Sequence, residues 1–299
     1  KEQAISDWGS VPQDFVDYAT AGGEENYLFV LRADAAVVSA MNSGLMADLS
    51  KVDCLDFSEA KFANNGVHKL YSKGTSVYAM LGAEPEPRTG LYFNKRLLQD
   101  AGVNPQEIYD LQENMEWTWD KFVEILEKVQ QDTDNDGTVD IAGITMNNGV
   151  LYDAAVASNA GSYVNMENGK YVCTVDDPKT IEALEWSMNT VHQKYGLVYP
   201  EGAEWDYYKQ GFLNGEAVFM PEDAYCAGTN PDDGAHGWLK EMTDEFGFVC
   251  FPMGPNMTDY TNRLADNLVA IPACYDDEKV WKLAFAYNLF TETVPGFED

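Results

Sequence analysis

Between Trp119 and Val129 the apolar residues Trp119, Phe122, Val123, Leu126 and Val129 recur at steps of three and four, which predicts an amphipathic α-helix with one buried face. The residues before it read as a strand ending at Asn94-Lys95, a short helix closed by Gly102, a stop at Pro105 and an acidic linker. Nearer the start, a helix from about Val11 to Thr20 ends at Gly22-Gly23, and the run Tyr27 to Leu31 reads as a buried strand. Asp34 opens a second helix carrying Val37, Val38 and Met41 and ending at Gly44. A hairpin follows, with Leu70-Tyr71, a turn at Lys73-Gly74, and a strand from Val77 to Leu81.

Further along, a strand ends at Ile144-Met146 and a helix begins within Val150 to Ala160. Asp177 caps another helix with Pro178 in its first turn; Ile181, Leu184, Met188, Val191 and Tyr195 form its expected inward stripe, and Gly196 ends it. Ala217 to Met220 reads as a strand turned sharply by Pro221. Phe246 to Phe251 and Leu268 to Ile271 read as two more strands, and a helix spans about Asp277 to Phe290. Strands and helices alternating at this spacing predict an α/β architecture with mostly parallel sheets.

With 299 residues and 45% hydrophobic content the chain is long enough for two cores. A net charge of −31, from 19 Lys+Arg against 50 Asp+Glu, repels phosphate backbones and anionic membrane surfaces, so nucleic acid is excluded as an expected partner. The five cysteines, Cys54, Cys173, Cys226, Cys250 and Cys274, form no CxxC pair, and their odd number forbids complete pairing within the chain. No apolar run approaches the roughly 20 residues needed to span a bilayer, and Lys1-Glu2-Gln3 is not the start of a signal peptide.

One metal-like pattern stands out. Asp132, Asp134, Asp136 and Asp140 occupy positions one, three, five and nine around Gly137, with the Thr138 carbonyl at position seven, as calcium loops require. Gly143 at position twelve excludes an EF-hand, so the expectation is a structural Ca2+ completed from elsewhere, or else a helix-to-strand turn held by Asx turns. Of the tryptophans, Trp186 and Trp281 sit in helical stripes. Trp205 begins an expected core stripe with Tyr208 and Phe212, and Trp8 and Trp238 lie in loops free for stacking. His68, His192 and His236 stand alone, and neither Gly-x-Ser-x-Gly nor a Gly-rich phosphate loop is present.

The segments GLYFNKRLLQDAGVNP, WTWDKF, DTDNDG, SGLMADLS and FLNGEAVFMPEDAY together resemble the extracellular solute-binding proteins of sugar-importing ABC transporters. The resemblance implies a two-lobed periplasmic-binding-protein-like α/β fold of the class II type, with mostly parallel sheets and helices on both faces. Lobe one is expected at residues 1–85 plus 263–299 and lobe two at 86–262, with hinges near 82–90 and 252–266. Members of the family usually begin with one more strand and helix, and continue further at the C-terminal end, so the chain reads as part of a longer protein.

The implied function is to bind a sugar or oligosaccharide between the lobes and present it to an ABC permease, as a monomer outside the cell, lipid-anchored or periplasmic, without catalysis. Ligand-binding candidates mapped through the resemblance are Arg32, Asp34, Glu84, Glu86, Arg88, Asn147, Asn148, Tyr152, Glu222, Asp223, Tyr225, Asp266 and Asn267. Where the family commonly has a stacking Trp this chain reads Pro-Glu-Asp-Ala-Tyr, so stacking is assigned to Tyr225. A glycoside-active enzyme using paired carboxylates, and a calcium-dependent carbohydrate or adhesion module, are the alternatives.

Overall fold

The computed structural model describes residues 7, 9–84, 88–167, 170–228, 237–263, 267–294 and 296. In chain order it runs α1 (Val11–Ala21), β1 (Phe29–Arg32), α2 (Ala35–Asn42), the one-turn helices α3 (Ala60–Ala63) and α4 (Val67–Leu70), and the hairpin β2 (Ser72–Lys73) and β3 (Ser76–Val77). Then come β4 (Thr89–Asn94), α5 (Lys95–Asp100), α6 (Pro105–Glu113), α7 (Trp119–Val129), β5 (Ala142–Ile144), α8 (Asn148–Ser158), β6 (Val164–Glu167) and β7 (Lys170–Cys173). The rest is α9 (Pro178–Glu185), a π-helical stretch Trp186–His192, α10 (Gln193–Tyr195), α11 (Tyr207–Leu213), β8 (Ala217–Asp223), β9 (Phe246–Cys250), β10 (Asn267–Ala270) and α12 (Asp277–Phe290). Two compact units result: Lys1–Glu86 with Leu264–Asp299, and Pro87–Arg263. Among the described residues no helix is long and apolar enough to cross a membrane, and all five cysteines are free thiols.

In the first unit β1 and β10 pair antiparallel, Phe29 opposite Ala270 and Arg32 opposite Asn267. Alternation along β10 sends Leu268 and Ala270 to one face, with Phe15, Leu31, Val37 and Ala40. Val269 and Ile271 go to the other, with Leu49, Phe62, Val280 and Ala284, so helices cover both faces. The expected strand from Val77 to Leu81 is shorter than the sequence suggests, because only Met80 bridges onward, to Val269.

In the second unit the strand order is β5-β8-β4-β9. β5 and β8 are parallel, but β4 runs antiparallel to both of its neighbours, so the sheet is mixed rather than mostly parallel. The reason is topological. Arg88 N–H donates to the Arg263 carbonyl at 2.8 Å, placing the residues before β4 beside those that follow β9, an arrangement that suits an antiparallel β4–β9 pair. Pro221 does not turn the chain; β8 passes through it to Asp223, with Leu91 opposite. β5 ends at Ile144 opposite Phe219, so beyond that point no described strand pairs with that edge of β8 and the missing N–H costs no ladder bond.

The core of this unit packs Trp117, Phe122, Phe93 and Phe219 beneath α7, with Trp119 stacked on Trp186 at 4.1 Å. The expected acidic linker is α6. Pro105 begins that helix instead of stopping one, because Asn104 caps it through the Gln106 N–H at 3.1 Å and Ile108 and Leu111 reach the core. Asp177 caps α9 through Lys179 N–H at 2.9 Å.

The stripe expected of α9 holds at Val191 and Tyr195, which are buried, and at Leu184, which packs against the core, but not at Ile181 and Met188. Ile181 and Met188 are exposed and, with Leu184, Cys173 and Val175, line an open groove of about 680 Å³, while Thr180, Ala183 and Ser187 turn inward. Small residues win that face because Thr180 exchanges hydrogen bonds with the Ser162 backbone at 3.0 and 3.1 Å, and the π-helical winding from Trp186 shifts the register.

Candidate functional site

Parallel strands open ligand sites beyond their carboxyl ends. Past the end of β5, the chain reads Met146-Asn147-Asn148, and Asn147 caps α8 by accepting from Gly149 N–H at 3.1 Å. Met146, Asn147 and Asn148 line a concavity of about 440 Å³ together with His192, Leu197, Tyr199 and Trp205.

Trp205 is 72% exposed, with the Lys209 ammonium 5.6 Å from its ring. It is not core, contrary to the expected stripe, because α11 starts only at Tyr207 and Trp205 stands in the turn before it, outside helical spacing. Tyr199 donates to the Met146 carbonyl at 3.2 Å and packs on Tyr207. Burial raises the Tyr199 phenol above its usual value, so it stays neutral. Tyr152, on α8, hydrogen-bonds His192 Nδ1 at 3.1 Å. An exposed indole, side-chain amides and an imidazole around one hollow suit a polyhydroxylated ring, whose C–H face stacks while its hydroxyls exchange hydrogen bonds.

His192, Leu197, Tyr199 and Trp205 are absent from the candidates the sequence suggests. Trp205 was legible only as a tryptophan among the polar residues Glu204 and Asp206 in a Gly-containing loop. Trp238, expected in a free loop, is half-buried beside Tyr92, Tyr208, Phe212 and Leu239. Trp8 lies outside the described residues.

Glu222 and Asp223, at the end of β8, are buried and bonded inside the unit. Asp223 accepts from Arg88 Nε at 2.5 Å and Thr89 Oγ1 at 2.9 Å, with Arg263 Nη2 at 3.7 Å. Arg263 also pairs with Asp153 at 3.1 Å. Glu222 accepts from Tyr208 OH at 2.8 Å and from Asp223 N–H at 2.9 Å, and burial pushes its carboxyl above the usual range. Tyr225, just beyond, is 52% exposed.

In the first unit Arg32 and Asn267 are cross-strand partners. Arg32 pairs with Asp34 at 3.2 Å, and Asp34 caps α2 through Ala36 N–H at 2.8 Å. Glu84 accepts from Asn64 at 3.0 Å. Glu86 and Asp266 lie outside the described residues.

The carboxylates of Asp132, Asp134 and Asp136 converge, with one oxygen from each within 4.8 Å of the others, all exposed. Gly137 at φ +91° permits the bend, and its N–H donates to Asp132 at 2.8 Å. Thr138 N–H donates to Asp136 at 2.7 Å. Asp140 does not join the triad; Thr133 N–H donates to it at 2.7 Å, and the Thr133 hydrogen bonds hold its carboxyl below the usual range.

Among solved structures, the chain is similar to UgpB from Mycobacterium tuberculosis in complex with glycerophosphocholine (18% identity, TM-score 0.62, covering 96% of this chain and 65% of that one). It is similar also to maltose-bound MalE3 of T. maritima (24%, 0.55, 94% and 66%). A third is the ABC substrate-binding protein Lmo0181 from Listeria monocytogenes in complex with cycloalternan (18%, 0.61, 97% and 67%). The chain thus spans about two thirds of the length of these proteins, and at such identities the likeness is one of fold, the two-lobed α/β fold of periplasmic binding proteins. No curated protein matches it. Residues 34–284 match the sequence pattern of one family across most of the chain, and on that match the protein belongs to the bacterial extracellular solute-binding proteins.

Proposed function

We propose that this protein is the solute-binding component of an ABC importer, taking a sugar or oligosaccharide and delivering it to a membrane permease. The observation that carries the reading is Trp205, an indole left 72% exposed at the rim of a hollow lined by Asn147, Asn148, His192 and Tyr199. Leaving a large aromatic face in water forgoes roughly 1.5–3 kcal/mol of burial, which a stacked ring recovers. The family and the ligands of the similar structures point the same way.

Binding is favoured over glycoside hydrolysis because, among the described residues, those lining the hollow include no carboxylate. Glu222, the acid with the raised pKa, is instead committed to Tyr208. The protein works outside the cytoplasmic membrane, periplasmic or lipid-tethered, as a monomer. Its Asp132, Asp134 and Asp136 triad suits a hard, oxygen-ligated cation, and we assign it a structural Ca2+.

The test is calorimetric titration with maltose, cycloalternan and glycerophosphocholine, followed by analysis of the recovered ligand. Maltose or cycloalternan is expected to bind saturably and return intact, with Trp205→Ala weakening it about tenfold, and binding of glycerophosphocholine alone would count against a sugar as the solute. Cleaved product would favour the glycosidase alternative, and no heat with any of the three would remove the sugar-importer reading.

A further inference from the structure

His192 ends the π-helical stretch Trp186–His192, a winding that departs from the α-helix on either side and often marks a functional position. One contact holds its ring, and one neighbour makes room for it. The Tyr152 hydroxyl stands 3.1 Å from Nδ1. Gly196 leaves the space the residue needs: a Cβ there would stand 2.5 Å from the His192 carbonyl oxygen and 3.1 Å from the imidazole Cδ2. The ring lines the same hollow as Asn147, Asn148 and Trp205, and among the described residues the hydrogen bond its side chain makes is the one at Nδ1.

We infer that His192 is a specificity-determining residue of this site: held by Tyr152 as the Nε2–H tautomer, it donates a hydrogen bond to an oxygen of the bound solute. The inference rests on the solute-binding reading above. Burial raises the Tyr152 phenol, so it keeps its proton. Among the described residues its hydrogen-bond partner is Nδ1, a better acceptor than a phenol oxygen is for an imidazole N–H. With Nδ1 accepting, the imidazole carries its N–H on Nε2. A fixed donor selects solutes with a hydroxyl or ether oxygen at that point and turns away ammonium groups, which have no lone pair to offer.

Two measurements test this. Long-range 1H–15N NMR of the free protein is expected to find the proton on Nε2, and Tyr152→Phe to mix the tautomers. Titration then uses whichever of maltose, cycloalternan or glycerophosphocholine the wild type binds. Gln places its amide where Nε2 stands, and Asn places its own near Nδ1. His192→Gln is therefore expected to hold affinity within about threefold and His192→Asn to lose about tenfold, both melting near the wild type. A proton on Nδ1, or equal affinity for His192→Asn and wild type, overturns the inference and leaves the sugar reading standing. A wild type that binds none of the three removes both.

Discussion

Arg88 Nε donates to Asp223 Oδ2 at 2.5 Å across 135 positions of the chain, tying the residue just before β4 to the last residue of β8. Asp223 also faces Arg263, so both ends of the Pro87–Arg263 unit converge on a carboxylate only 5% exposed. Such a bond is worth most when one partner is removed, because the remaining charge stays buried.

Asp223→Ala is therefore expected to destabilise the protein by about 3 kcal/mol, and Asp223→Asn by less, since the amide oxygen still accepts from Thr89. Denaturant melts of the two variants read this directly. An Ala variant as stable as the wild type would show that the clamp contributes nothing.

Glu222 predicts a pH dependence of definite sign. Its folded pKa lies above the ordinary 4.5, so the folded chain holds a proton that the unfolded chain has released. That contribution to stability is complete below the unfolded value and is lost as pH rises through the folded one. Glu222→Gln, which cannot ionise, should gain on the wild type as pH climbs from about 4.5 toward neutrality. Melting temperatures of the pair across that window settle the matter; a constant difference refutes the burial argument.

Calcium at the aspartate loop should stabilise the folded chain by RT ln(1 + [L]/Kd). Adding EGTA is expected to lower Tm, and Asp134→Ala to abolish the difference between calcium and chelator. Superimposable melts with and without calcium would leave the loop as a turn held by its own hydrogen bonds, such as Gly137 N–H to Asp132.

Local signals were readable in advance because they act within a few residues. The caps at Asp34 and Asp177 hold as side-chain bonds two residues long, and α12 spans Asp277 to Phe290 as its pattern suggests. Periodicity alone placed Trp119, Phe122, Leu126 and Val129 on the buried face of α7, while Val123 is half-buried and Ile125 joins that face. The same periodicity held at Val191 and Tyr195 but misled at Ile181 and Met188, where hydrogen bonds between Thr180 and Ser162 outweigh the apolar pull.

The site divides along the same line. Asn147 and Asn148 were legible from the resemblance, as residues following a strand, and they line the hollow. Trp205 and His192 were not, because exposure is a property of what fails to pack against a residue, and no spacing along the chain records that. Glu222 and Asp223 look like free acids in a loop, yet partners as distant in sequence as Arg88 take them inside.

The order of residues by itself determined the α/β alternation, the capped helix starts at Asp34 and Asp177 and the family, since propensity, capping and hydrophobic period are set by near neighbours. Only the tertiary structure decided the reversed direction of β4, the burial of Asp223 and the exposed face of Trp205. Each of those depends on which distant segments reach one another through space, and pairing of that kind is fixed by the packing of the whole unit.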